Sequence, residues 1–287
     1  MEKKVILITG TNSGFGWLAA NSSAALGHKV YATMREIKGR NAEKAKSLAQ
    51  RANIDVLDVE VTNGKSVTDA VATIIEKEGR IDVLVNNAGV VTVGIAESYT
   101  DNDLDKVMDV NVKGPWRLIR ATLPQMRKQG VGLVINISSV AGRFPVPFQS
   151  VYNSAKFAIE ALTESLHYEV RSLGVDVVMI QPGAFPTEIF GKIMTGSDAT
   201  VIAGYGDLAN IPEQMGVGIG QMFEALKPNP QLVADAIVTL INTPAGKRPL
   251  RTVVDPVTGS IIEMANEQVK EQYGHFLNAY GMQGMLS

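Results

Sequence analysis

Short β-branched runs alternate along this chain with longer stretches of helical period. Apolar runs near 5–9, 29–33, 55–59, 82–85, 133–138, 175–181 and 250–254 predict strands. Most are near-continuous rather than alternating, as in strands buried on both faces. Helical stretches lie between them, over 14–26, 41–52, 66–78, 101–129, 151–173 and 231–241, with a late one near 261–276. Asp101 and Gln231 are predicted helix starts, and Gly27, Gly79, Gly130 and Gly174 are predicted stops. Strand–helix alternation of this length implies right-handed crossovers and a parallel sheet.

The predicted fold is α/β, a Rossmann-type doubly wound parallel β-sheet flanked by helices. Residues 1–287 read as a single domain, because no linker divides them. The one compositional shift, over 183–230, is rich in Gly and Met and reads as a flexible lid over a site.

Composition narrows the chemistry. Charged residues make up 20% and the net charge is -2, which argues against nucleic acid as the main partner. With no cysteine there is no disulfide, thiolate nucleophile or cysteine-held metal, and three scattered histidines show no ligand spacing. No metal site is expected. No apolar run approaches a membrane span, so no membrane partner is expected and a cytoplasmic location is the default.

Thr9-Gly10-Thr11-Asn12-Ser13-Gly14-Phe15-Gly16 follows the first strand and opens the first helix. Glycines there allow a tight turn and close approach of the backbone to a pyrophosphate, with the helix N-terminus aimed at the anion. Asn63-Gly64-Lys65-Ser66 resembles the end of a phosphate loop, but Val59 stands where that motif needs glycine, so it reads as a helix start. Asn86-Asn87-Ala88-Gly89 ends the fourth strand. Asn111, inside a predicted helix, reads on its own as a solvent-facing residue.

Tyr152 and Lys156 are four residues apart on one predicted helix face, with Ser139 upstream. A phenol titrates near ~10, and a neighbouring cation lowers that value. Bringing it to about 7 takes roughly 4 kcal/mol. A lysine and a bound cationic nicotinamide together are expected to supply it, leaving Tyr152 as a general acid–base.

These pieces, with Ile137-Ser138-Ser139 and Pro182-Gly183-Ala184-Phe185-Pro186-Thr187, resemble the single-domain short-chain dehydrogenase/reductase family in order and over nearly the whole chain. The resemblance implies that Tyr152 exchanges a proton with the substrate oxygen and that Ser139 hydrogen-bonds it. Lys156 lowers the Tyr152 pKa and holds the nicotinamide ribose, and Asn111 holds a water of a proton relay. It also implies cofactor contacts from Gly10, Asn12, Ser13, Gly14, Phe15 and Gly16, from Asn87, Ala88 and Gly89, and from Tyr152, Lys156, Pro182, Gly183, Phe185 and Thr187. Phe185 stands where the family often has isoleucine. Glu60 and Val61 match its acidic-apolar pair near the adenine, with Asp58-Val59 the competing register.

Cofactor choice is read at the end of the second strand. An NAD site places a carboxylate there, but this chain has Met34 followed by Arg35, whose guanidinium suits a 2′-phosphate. NADP(H) is therefore expected, while Glu36 keeps NAD(H) possible. Ser139, Tyr152, Val146, Phe148, Phe185 and Ile189 are the expected substrate contacts, and their mostly apolar wall suits an apolar ketone, aldehyde or secondary alcohol. The basic cluster Gly246-Lys247-Arg248-Pro249-Leu250-Arg251 reads as a solvated turn. The expected activity is an NADP(H)-dependent carbonyl reductase or alcohol dehydrogenase. The alternatives are a nucleotide-binding regulator without chemistry, and an NAD(P)-dependent epimerase or dehydratase. The resemblance further implies a homodimer or homotetramer built through the helices over 101–129 and 151–173.

Overall fold

Seven strands form one sheet, every one parallel to its neighbours. The computed structural model describes residues 2–286. In chain order the elements are β1 (Val5–Thr9), α1 (Gly14–Ala25), β2 (Lys29–Met34), α2 (Ala42–Ala49), β3 (Ile54–Asp58), α3 (Gly64–Glu78) and β4 (Val83–Asn86). They continue with α4 (Asp101–Met108), α5 (Gly114–Gln129), β5 (Gly132–Ile137), α6 (Ser150–Val170) and β6 (Val175–Pro182). The last are α7 (Ala199–Gly204), α8 (Ile211–Leu226), α9 (Gln231–Asn242), β7 (Arg251–Val254) and α10 (Gly259–Ala279). The sheet order is β3-β2-β1-β4-β5-β6-β7. The order reverses between β1 and β4, which opens a crevice at the carboxyl ends of the strands.

The expected doubly wound Rossmann sheet is thus present, in one domain. Two cores fill its faces. One packs Ile6, Ile8, Val30 and Ile135 under α1 and α9. The other packs Leu7, Leu84, Val134 and Val177 under α3, α5 and α6. The central strands are buried on both sides, which is why they read as apolar runs. The predicted stops hold: Gly79, Gly130 and Gly174 adopt the left-handed backbone that ends a helix. Asn63 caps α3 through Lys65 and Ser66, so the apparent phosphate loop is a helix start.

Two expectations change. The helix over 101–129 is not continuous, because a π turn, Asp109–Lys113, separates α4 from α5. Such single turns insert one residue and re-aim the side chains beside them. The basic cluster before β7 is not a solvated turn either. Arg248 is buried on Asp176 at 2.5 Å, and Arg251 is buried against Glu160 and Glu164. Those acids come from β6 and α6, far away in sequence.

Candidate active site

The Gly-rich turn is hydrogen-bonded to the end of β4. Thr9 Oγ1 accepts from the N–H groups of Asn87 and Ala88, both at 3.0 Å. Asn87 Nδ2 donates to the carbonyls of Thr9 and Gly10. The Asn87 amide therefore props up the turn, with its NH2 group spent on the protein. Gly16 has no room for a side chain, since a Cβ would meet Asn87 Nδ2 at 2.4 Å and the Gly10 carbonyl at 2.5 Å. Gly14 has φ +56, and a Cβ there would lie 3.3 Å from Thr187, across the cleft in the loop after β6. Ser13 makes no side-chain cap bond to α1, whose first turn carries no acid. The first N–H groups of α1 stay free of side-chain acceptors and fit an anion such as a pyrophosphate. Asn12 reaches Asn41 at 3.4 Å.

At the end of β2 the expected nucleotide residues meet each other. Arg35 Nη1 donates to Glu60 Oε2 at 3.2 Å. Burial pushes the Glu60 carboxyl up, but the Thr62 N–H and the Arg35 guanidinium outweigh that and hold it below the usual range. The Glu60 N–H donates to Ser66 Oγ at 3.1 Å, tying the residue after β3 to the first turn of α3. Val61 is buried against Gly114. Glu36, the rival acid for the ribose, is paired with Arg40 at 3.0 Å.

The π turn carries Asn111 inward. It is 2% exposed, contrary to its reading as a solvent-facing residue. Its amide donates to the Val90 carbonyl and accepts from the Val90 N–H, both at 2.9 Å, just beyond Gly89. The amide thus orders the loop after β4.

Ser139 follows β5, accepts from the Ala141 N–H at 3.1 Å and donates to the Pro182 carbonyl at 3.5 Å. Ser138 donates to Glu160 at 2.9 Å and is spent on it. Of the two serines, only Ser139 acts on the Tyr152 phenol, whose pKa it lowers. Pro182 ends β6, and Gly183 donates to the Val254 carbonyl. On α6, Tyr152 and Lys156 share a face, with Lys156 Nζ 5.6 Å from the Tyr152 ring centre. Lys156 donates to the Ile137 carbonyl at 2.8 Å. Burial pushes the Tyr152 phenol up to about 12, opposed by the hydrogen bond to Ser139. Burial also lowers Lys156 to about 8, opposed by the charge of Glu160. The expected fall of the phenol rests on Lys156 together with a bound cationic nicotinamide, and Lys156 by itself does not offset the burial. Its ammonium is engaged by Ile137, and desolvation favours the neutral form of both groups.

The expected substrate wall divides. Phe185 is 1% exposed and packs edge-on to Phe15 with ring centres 5.7 Å apart. Its ring belongs to the core under the turn and does not line an open wall, because the loop after β6 folds it inward. Val146 and Phe148 line an apolar surface cleft of about 620 Å³ with Pro145, Pro147 and Phe157. None of Asn111, Ser139, Tyr152 and Lys156 lines that cleft. Phe148 has φ +63, an outlier for an aromatic residue. Ile189 lies half-buried in the turn after Thr187. Among the described residues, no group of three or more acids and histidines could hold a metal. No helix there is long and apolar enough to cross a membrane. Glu160, which touches Ser138, Gln181 and Arg251, was not singled out by sequence reasoning, since its partners come from three other elements.

The short chain dehydrogenase family model matches residues 4–198. Human 17-beta-hydroxysteroid dehydrogenase type 1 is 36% identical over 257 residues, 85% of this chain and 76% of that one. The 3-ketodihydrosphingosine reductase of Bacteroides thetaiotaomicron is 40% identical over 187 residues, 65% of this chain. That match spans 66% of the reductase, just under two thirds. A short-chain dehydrogenase/reductase from Burkholderia phymatum, solved in complex with NAD, superposes with a TM-score of 0.76 at 25% identity, covering 94% of this chain and 95% of that one. Another solved neighbour holds NADP+. A family match over most of the chain, on a seven-stranded parallel sheet with these motifs around one crevice, identifies the chain as a member of the short-chain dehydrogenase/reductase family of oxidoreductases.

Proposed function

We propose that this chain is an NADP(H)-preferring oxidoreductase acting on the carbonyl or alcohol carbon of an apolar ketone, aldehyde or secondary alcohol. The observation that carries the reading is the convergence of Ser139, Tyr152 and Lys156 at the carboxyl ends of β5 and β6, beside the Gly-rich turn. When bound, the nicotinamide supplies or accepts the hydride. The α1 N-terminus and the turn from Gly10 to Gly16 would hold its pyrophosphate. Arg35 would hold the 2′-phosphate, with Glu60 and Val61 near the adenine. Pro182, Gly183 and Thr187 would border the nicotinamide.

The remaining work belongs to the side chains. Tyr152, neutral at neutral pH, gives its Oη proton to the carbonyl oxygen as hydride reaches the carbon. Ser139 donates its one hydroxyl proton in a hydrogen bond to the same oxygen. Lys156, protonated below its value of about 8, offsets that phenolate charge. Asn111 fixes the loop that walls the site. In the opposite direction each transfer reverses. The names of the two curated relatives, a keto-lipid reductase and a hydroxysteroid dehydrogenase, support an apolar substrate. The lid over 183–230 would close on it. Exposed Leu104, Trp116 and Phe157 on α4, α5 and α6 support a homo-oligomer through those helices.

The test is NADPH and NADH oxidation with a panel of aryl ketones, steroid ketones, long-chain keto compounds, aldehydes and nucleotide sugars. Turnover of the apolar ketones is expected. Activity confined to nucleotide sugars would overturn the substrate class, and nucleotide binding without turnover on any member would overturn the enzymatic reading.

A further inference from the structure

The peptide group between Arg35 and Glu36 is held from both sides, by side chains from two different elements. Its carbonyl accepts from Asn41 Nδ2 at 2.7 Å, and its N–H donates to Asp58 Oδ1 at 3.0 Å. Asp58 ends β3, paired in register with Met34 of β2. Asn41 stands at the cap position of α2 and is 9% exposed. An asparagine at that position usually accepts from the first N–H groups of its helix. Asn41 makes no such bond. Its Oδ1 accepts instead from Asn12 Nδ2 of the Gly-rich turn, at 3.4 Å. One buried amide thus spans from the turn that opens α1 to the backbone of Arg35.

The same clamp explains an unusual backbone. Glu36 has φ +56, in the left-handed region that a non-glycine residue keeps only where its surroundings hold it. Asp58 binds its N–H, and its carbonyl accepts from the N–H groups of Gly39 and Asn41, at 2.9 and 3.2 Å. Two neighbouring side chains diverge as a result. Arg35 reaches Glu60 beyond β3 at 3.2 Å, and Glu36 reaches Arg40 at 3.0 Å. The two would select opposite cofactors, since a guanidinium suits a 2′-phosphate and a carboxylate suits a free 2′-hydroxyl.

We infer that Asn41 is a positioning residue for cofactor choice: with Asp58 it clamps the Arg35–Glu36 peptide so that Arg35, and not Glu36, faces the adenosine 2′ position. The inference rests on the proposed NADP(H) reading of Arg35. Asn41 needs no contact with the nucleotide to act in this way. Without its amide donor the peptide is free to rotate, Glu36 leaves the left-handed region, and its carboxylate competes for the ribose.

The experiment measures dissociation constants of NADPH and NADH by fluorescence in the full chain, for wild type, Asn41→Ser, Asn41→Ser with Glu36→Gly, and Arg35→Ala. Serine still caps α2 but is too short to reach the Arg35 carbonyl. Asn41→Ser should lower the preference for NADPH over NADH about tenfold, with NADPH weakened and NADH unchanged or tightened. A residue that only supports the fold would weaken both nucleotides alike. Glycine is at ease at this φ and brings no carboxylate, so adding Glu36→Gly should restore most of the preference. A preference unchanged in Asn41→Ser, or not restored by Glu36→Gly, overturns the inference, and a loss of preference in Arg35→Ala then leaves the cofactor reading standing. A wild type without the preference, or an Arg35→Ala chain that keeps it, removes the cofactor reading and the inference with it. Should Asn41→Ser not fold, Asp58→Ala at the exposed end of β3 reads the other half of the clamp. Loss of a negative charge alone would strengthen NADPH there, whereas release of the clamp weakens it. An unchanged or stronger preference for NADPH in Asp58→Ala overturns the inference.

Discussion

Arg35 and Glu60 form an ion pair across the ends of β2 and β3, with Nη1 and Oε2 3.2 Å apart. The pair is partly exposed, so by itself it adds little to stability. Its consequence is for selectivity. A 2′-phosphate would compete with the Glu60 carboxylate for one guanidinium, and a plain ribose would not need to.

This competition gives two opposite expectations. Arg35→Ala should weaken NADPH about tenfold or more while leaving NADH nearly unchanged, because a charge-assisted contact is lost. Glu60→Gln should tighten NADPH relative to NADH, because Arg35 is released. Cofactor dissociation constants for both nucleotides in both variants are the measurement. Unchanged preference in Arg35→Ala would defeat the assignment of that residue.

Tyr152→Phe should lower turnover about 10² to 10⁴-fold, the usual contribution of a general acid. Binding of NADPH, read by fluorescence, should be retained. A variant turning over at the wild-type rate would remove Tyr152 from the chemistry.

The two adjacent serines should separate cleanly. Ser139→Ala should lose turnover, and it should also lose some stability because the Ala141 N–H loses its acceptor. Ser138→Ala should largely keep turnover while costing roughly 1 kcal/mol in denaturant unfolding because Glu160 loses a donor. The opposite ranking would mean the serine roles are exchanged.

Lys156 makes a prediction in pH. Its ordinary value of 10.5 falls to about 8 on burial. Below pH 8 both folded and unfolded chains carry its proton, and the folded state bears the full cost of the buried charge. Between pH 8 and 10.5 the unfolded chain holds more protons, so this group makes stability rise with pH. Lys156→Met should therefore gain stability relative to wild type most below pH 8, by about 3 kcal/mol at most, and lose that gain by pH 10.5. A difference between the two proteins that is flat across this window would contradict the burial of a charged Lys156.

From Ser197 to Lys227 no residue is buried, although the segment contains α7 and α8. Phe223 of α8 packs edge-on against Phe190 in the turn after Thr187, ring centres 5.1 Å apart. Low burial implies low local stability. Hydrogen exchange across 183–230 should be fast in the free chain and slow on adding NADPH with a substrate analogue. Slow exchange that ignores both ligands would sink the lid.

The local features of this protein were legible in its sequence because local rules produce them. Apolar runs mark strands buried on two faces, glycines at Gly79, Gly130 and Gly174 end helices, and the turn from Gly10 to Gly16 opens α1. The spacing of Tyr152 and Lys156 puts them on one face of α6 wherever that helix packs. Tertiary structure alone decided the rest, since each remaining feature depends on a partner far along the chain. Asn111 turns inward because a π turn interrupts the helix, and it finds Val90, 21 residues upstream. Phe185 leaves the expected wall for Phe15. Arg248 and Arg251 leave solvent for acids on β6 and α6. The Tyr152 pKa rises where the spacing alone predicts a fall, because spacing reports a neighbouring charge but not the water removed when α6 docks on the sheet.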